Sequence, residues 1–233
     1  VSKTYQFKVV EKYSYKKIPR DTKDNKRTYS LDGKHIPSVT TILSETKDKS
    51  FLESWKKRIG EEKAREITLK SSNRGTEMHR VIECTLLGLK YENSDPEASN
   101  AVLMAHKIMD NMQNINEIWG SEISLHYKDK WAGTADLVCL MENQPTIGDF
   151  KQTNKPKRQE WIDDYFCQLV AYSIAHKELY GEIIQGKIFM CTPDLVFQSF
   201  DLNNINYNHY EKLWLNRVDQ YYEKFSNANQ ATA

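Results

Sequence analysis

Hydrophobic and polar positions along the chain change period several times, and each change marks an expected element. From residue 4 to 36, aromatic and charged positions alternate around Tyr5, Phe7, Tyr13 and Tyr29, and Asp32-Gly33 is a turn signal, which predicts short strands and a hairpin. Ser38 follows Pro37 and precedes Val39, Ile42 and Leu43, the spacing of a short capped helix. A longer helix is expected over about 50–69. Another is expected over 74–89, with Met78, Val81, Ile82, Thr85 and Leu86 on one side, His79 and Glu83 one turn apart, and a stop near Gly88. Asn93 to Asn100 reads as a polar loop, and Glu97 to Trp119 has helical periodicity.

The period then shortens to two. Ile123, Leu125 and Tyr127 alternate as in a strand, and 132–151 reads as a hairpin. A Lys/Pro loop at 153–158 leads into an amphipathic helix over 160–180 that ends at Gly181 and carries Gln168 and Tyr172 on one face. Strands at 183–191 and 195–201 precede a terminal helix from about 206 to 225 and a frayed tail. The order predicts an α/β fold, a central mixed sheet flanked by helices. We expect one domain over 1–233, with 37–120 a mainly helical lobe and 121–225 the sheet and its flanking helices.

Charge adds a local signal. Lys and Arg total 33 against 32 Asp and Glu, so net charge selects no class of partner. Yet Lys56-Lys57-Arg58, Lys63, Arg65, Lys70, Arg74 and Arg80 enrich one helical region, and Lys151, Lys155, Lys157 and Arg158 cluster after the hairpin. The four cysteines lie far apart, without the spacing of a zinc site. No run of 18 apolar residues and no secretory apolar segment is present, so a soluble intracellular protein is expected. Abundant Lys, Asn and Tyr suggest a bacterial or phage-infected cytoplasm, or the mitochondrial matrix if a transit peptide has been removed.

The hairpin carries the candidate chemistry. A turn centred on Glu142-Asn143 would place Asp136 opposite Asp149, with Lys151 on the same face as Asp149. Like charges facing each other across a sheet are destabilising, so a hard cation such as Mg²⁺ between the oxygens is expected, and with it phosphodiester cleavage. The bland alternatives are a solvated hairpin with scattered charges and, for Lys151, an ordinary surface salt bridge.

Gly133-Thr134-Ala135-Asp136, Asp149-Phe150-Lys151 and Gln168-Leu169-Val170-Ala171-Tyr172 resemble the G-x-x-D, D-x-K and Q-x-x-x-Y signatures of the RecB-like branch of the PD-(D/E)XK nuclease superfamily. Upstream, Arg74-Gly75-Thr76-Glu77-Met78-His79 looks like that branch's helical motif. Pro37-Ser38-Val39-Thr40-Thr41-Ile42-Leu43 and Leu52-Glu53-Ser54-Trp55-Lys56 are similar to the mitochondrial genome maintenance exonuclease family and its phage and bacterial relatives. Two positions depart from the pattern. Ala135 stands where the superfamily has Pro, and Gln152 follows the lysine where relatives often have Thr or Ser.

The resemblance implies a restriction-endonuclease-like core under an N-terminal helical lobe or arch. It implies Mg²⁺ or Mn²⁺ held by Asp136, Asp149, the Phe150 carbonyl and His79, with Lys151 directing the attacking water. Gln168 and Tyr172 would hydrogen-bond to the phosphate, a base or Lys151, and Glu83 is open between a ligand, a supporting group and a surface acid. Lys155, Lys157 and Arg158 would track the phosphate backbone, and Arg74 joins them as a candidate substrate contact. The implied activity is a monomeric exodeoxyribonuclease acting on single-stranded DNA ends or flaps in replication, repair or recombination, with any helicase or polymerase in trans. A flap or junction endonuclease and a catalytically silent nucleic-acid-binding module are the alternatives.

Overall fold

The computed structural model describes residues 5–23, 26–92 and 98–230, with side chains described as far as 226. Three short strands come first, β1 (Arg20–Lys23), β2 (Lys26–Leu31) and β3 (Lys34–Pro37), in an antiparallel sheet of order β1-β2-β3. The β2–β3 turn falls on Asp32-Gly33, both at positive φ. Next is α1 (Val39–Thr46), capped as expected, since the Ser38 side chain accepts the Thr41 N–H at 2.9 Å. Helices α2 (Ser50–Ile59), α3 (Glu61–Leu86) and α4 (Ser99–Met109) follow. The polar-loop residues 93–97 and the tail residues 231–233 lie outside the described residues.

A five-stranded sheet occupies the centre: β4 (Ile115–Tyr127), β5 (Trp131–Met141), β6 (Gln144–Gln152), then, after α5 (Asp163–Leu179), β7 (Gln185–Cys191) and β8 (Phe197–Leu202). Its order is β4-β5-β6-β7-β8, antiparallel throughout except for the parallel β6/β7 pair. The long helix α6 (Tyr207–Gln230) closes the chain, running past the expected end at 225. The expected α/β class with a mixed sheet between helices is the observed one.

Strand alternation divides the core in two. Val138, Ile147, Ile188 and Met190 pack with α1, α5 and α6, while Leu137, Cys139, Phe150, Phe189 and Cys191 pack with α3 and α4. Both faces of β5 and β7 are therefore covered, which is why these strands read as near-continuous apolar runs. Among the described residues no helix is long and apolar enough to cross a membrane.

Three expectations are corrected. The helices foreseen at 50–69 and 74–89 divide instead at Gly60, whose φ of +88° lets it close α2 and open α3, and α3 runs unbroken through Arg74-Gly75. The helix foreseen to Trp119 ends at Met109, and Ile115–Trp119 begin β4. Register shifts between Ile115 and Glu117 and between Ile118 and Gly120 displace the strand's alternation, so Ile115, Ile118 and Trp119 mimic helical spacing. Lastly, the helix over 160–180 opens as a separate 3-10 turn at Gln159–Trp161, and α5 is buried on all sides from Phe166 to Ser173 rather than amphipathic.

Candidate active site

The β5–β6 turn places Glu142 and Asn143 at positive φ (50° and 61°), the twist that suits a two-residue hairpin. Pairs run from Met141↔Gln144 to Leu137↔Gly148, so Asp136 and Asp149 are next in register, as the sequence predicts. At that step the Asp136 carboxylate replaces the ladder by accepting the Phe150 N–H at 2.8 Å. Asp149 is fully buried. Lys151 Nζ donates to its Oδ1 at 2.8 Å and lies 2.7 Å from Oδ2, but Oδ2 receives no aligned donor and is shut off from solvent. Both oxygens of this deeply buried carboxylate therefore face one ammonium, whose charge offsets the cost of taking it out of water.

Helix α5 supports this spot. Lys151 also donates to Gln168 Oε1 at 3.2 Å, and the Gln168 amide donates to the Tyr172 hydroxyl at 3.1 Å. Gly133 on β5 makes this possible, because a Cβ there would stand 2.5 Å from Cε1 of the buried Tyr172 ring. The G-x-x-D glycine thus seats the Q-x-x-x-Y tyrosine. Tyr29 of β2 reaches in from the small sheet to Thr134 at 2.9 Å.

Helix α3 brings His79 from the other side. Its Nε2 meets the Phe150 carbonyl at 2.8 Å, while Nδ1 lies 3.6 Å from Asp136 Oδ2 and 3.6 Å from Glu122 Oε1. With Nε2 as donor to that carbonyl, a neutral ring would turn its Nδ1 lone pair toward the two carboxylates. One ligand atom each from His79, Glu122 and Asp136 can lie within 4.8 Å of the others, and the set suits a divalent cation. Asp149, the other carboxylate expected to be a ligand, is not in that group, and both of its oxygens face Lys151. The Phe150 carbonyl, expected to be a ligand, is instead engaged by His79.

Charges inside the site are mutually perturbed. Burial pushes the Asp149 carboxyl above its ordinary range. Burial works against charge on Lys151, but Asp149 and Asp136 outweigh it and hold the ammonium protonated. The same contest at His79, burial against Asp136 and Glu122, ends with its pKa raised to about 9. Tyr172 is held neutral by burial. In this state Lys151 is a cation and Tyr172 a neutral hydroxyl that accepts from Gln168; neither is a ready base.

Asp136, Lys151, Gln168, Tyr172 and His79 open onto one cleft of about 480 Å³, together with Glu83, Glu122, Thr40, Arg20, Arg27 and Arg80. Burial, then Glu122, raises the Glu83 carboxyl. Glu122 was illegible in the sequence. It lies in β4 between Ser121 and Ile123, which pair with Leu137 and Ala135, and so faces Asp136 with a φ of +51° that no strand pattern announces. Arg20 and Arg27 sit on exposed or half-buried positions of short strands and carry no motif.

The other expected substrate contacts lie elsewhere. Arg74 reaches from α3 to hydrogen-bond Gln152 and Asn154 at the end of β6, and it lines a separate cleft of about 820 Å³ with Lys70 and Asn73. Lys155, Lys157 and Arg158 are not among the residues lining the 480 Å³ cleft. The Lys157 backbone is pinned to Gln198, and Arg158 stands 3.8 Å from Glu160 with its guanidinium over the Trp161 ring.

No protein-family model matches the sequence, and no curated protein matches it. Among solved structures, the chain is similar to a protein of Eubacterium rectale named as a candidate exonuclease. The TM-score is 0.50 and the identity 12%, over 70% of this chain and 69% of that one. A second structure, SSO0001, aligns at a TM-score of 0.43 and 14% identity over 82% of this chain and 78% of its own, too low to carry an argument. At these identities the likeness is one of fold.

Proposed function

We propose that the chain is a divalent-metal-dependent nuclease that hydrolyses DNA phosphodiester bonds, acting as an exonuclease on single-stranded ends or flaps. The observation that carries this reading is the convergence of His79, Glu122 and Asp136, with ligand atoms within 4.8 Å of one another, beside a fully buried Asp149 carboxylate clamped by Lys151. A scaffold without a ligand would gain by replacing that arrangement with apolar side chains. The exonuclease named among its structural neighbours supports the same class of reaction.

Asp136, Glu122 and His79 would hold Mg²⁺ or Mn²⁺, with Asp149 at their side. When bound, the cation supplies Lewis-acid activation of the phosphodiester and of the attacking water. Lys151, fixed between Asp149 and Gln168, orients that water and offsets charge building on the phosphate. Tyr172 keeps Gln168 in place and offers a neutral hydroxyl. Lys155, Lys157, Arg158 and Arg74 extend the path of the strand beyond the cleft, with sequence-independent and salt-sensitive affinity.

Matched linear and circular single-stranded DNA test the mode of attack. Degradation of the linear strand alone in Mg²⁺ is the expected result. Cutting of the circle would replace the exonuclease with a flap or junction endonuclease, and binding without cutting of either would leave a silent binding module.

A further inference from the structure

We infer that the small N-terminal sheet is a phosphate-binding wall of the active-site cleft, with Arg20 and Arg27 as its contacts to the nucleic-acid backbone and Ser38 and Thr41 as the residues that position Arg27. The inference rests on the nuclease reading for its ligand, but its evidence is separate.

Register places the two arginines together. Arg20 pairs with Tyr29 and Thr22 with Arg27, and residues two apart share a face, so Arg20, Arg27 and Tyr29 project from one side of the sheet. That side has an apolar half and a basic half. Tyr29 and Ile36 bury against Ala132 of β5, and Tyr29 reaches Thr134, two residues from Asp136. The basic half overhangs the cleft that holds Asp136 and Lys151.

The two guanidinium groups differ from the third arginine on this cleft and from Arg217 of the core. Arg80, on the same cleft, is tied to Glu77 and to the Glu92 carbonyl, and Arg217 to Asp164. Neither Arg20 nor Arg27 has an ion-pair or side-chain hydrogen-bond partner among the described residues. Two uncommitted forks beside a cation-holding acidic floor match a polyanion whose charge spans more than one phosphate.

Arg27 is also held in place. Its N–H donates to Thr41 Oγ1 at 3.0 Å, and its carbonyl accepts from Thr41 Oγ1 at 2.9 Å and from the Ser38 N–H at 3.0 Å. Ser38 and Thr41 are both buried and bonded to each other. The Pro37-Ser38-Val39-Thr40-Thr41 segment therefore anchors β2 to α1 at the residue that overhangs the site. Arg27 and Thr40 also line an adjoining cleft of about 430 Å³ with Lys26, Ser72 and Glu45, the last paired with Lys224.

The test is binding of a fluorescently labelled single-stranded oligonucleotide to the full chain over a range of NaCl, with Ca²⁺ present, alongside Mg²⁺-dependent digestion of the same strand. Arg20→Ala and Arg27→Ala are each expected to weaken binding about tenfold and to lower the slope of log affinity against log salt by about 0.7. Digestion at subsaturating DNA should fall by about the same factor. Arg27→Lys should keep the slope and lose part of the affinity. Thr41→Val should lower affinity in the wild-type background but add nothing to Arg27→Ala, a non-additivity that general destabilisation would not produce. Lys177→Gln, on an exposed lysine paired with Glu182, is the control. A digesting enzyme whose slope is unchanged in the double arginine variant overturns this inference and leaves the nuclease reading standing. Arginine-dependent binding without digestion does the reverse, and a chain that binds no strand overturns both.

Discussion

Helix α5 carries two buried polar clusters, and they differ in the charge they gather. Near its end, fully buried His176 has both ring nitrogens engaged, Nε2 with the Tyr15 hydroxyl at 3.0 Å and Nδ1 with the Gly181 carbonyl at 2.6 Å. Tyr13, Tyr15 and Tyr180 pack around the ring, and burial pushes its pKa down. Two turns earlier, Gln168 and Tyr172 support the Lys151–Asp149 ion pair, beside which Asp136, Glu122 and Glu83 converge on the cleft. The first cluster is complete within the chain and fastens the N-terminal segment to the core. The second concentrates like charge at a cleft. Burial of polar groups by itself marks no site; convergent like charge beside them does.

Substitutions separate the two. Asp149→Ala is expected to lower Mg²⁺-dependent kcat/KM by 10³-fold or more, on the order of 4 kcal/mol of transition-state stabilisation. Measured the same way, His176→Ala should leave the rate per folded molecule within about twofold. Its effect belongs to stability, about 2–4 kcal/mol in denaturant unfolding, from a cavity and two lost hydrogen bonds. A rate loss in the His176 variant as large as that of Asp149→Ala would erase the distinction.

Gly133→Ala probes the bridge between strand and site. The added methyl meets the Tyr172 ring, which is buried and has nowhere to swing. We expect about 1–3 kcal/mol of destabilisation from overpacking, and about 10- to 100-fold lower activity as Gln168 and Lys151 lose register. Normal activity would show that Tyr172 only packs.

The last expected effect is on pH. In the metal-free protein the His79 pKa is raised to about 9, so its contribution to stability is complete below its unfolded value and is lost as pH rises through about 9. A cation must displace that proton, so Mn²⁺ affinity should increase roughly 50-fold between about pH 7 and 9, with proton release in calorimetry. His176, already neutral, should add nothing to that release. Affinity independent of pH would remove His79 from the ligands.

How legible each part was follows from local physics. The β5–β6 hairpin could be read to the residue because alternation and a two-residue turn fix register, and Asp136, Asp149 and Lys151 followed from it. Ser38 was legible as a cap because capping is local. The break at Gly60 was missed because helical periodicity continues on both sides of it. The start of β4 was missed because two register shifts disguise a strand as a helix, and Glu122 was lost with it. Arg20 and Arg27 reach the site through tertiary placement of a small sheet on β5, which no spacing in the sequence encodes.

The most direct test of the central claim is release of nucleotides from linear single-stranded DNA by the wild-type chain in Mg²⁺, with EDTA and Lys151→Ala in parallel. The account predicts release by the wild type, none above background with EDTA, and a loss of 10³-fold or more in the variant. Equal release by the variant, or release unaffected by EDTA, would contradict it.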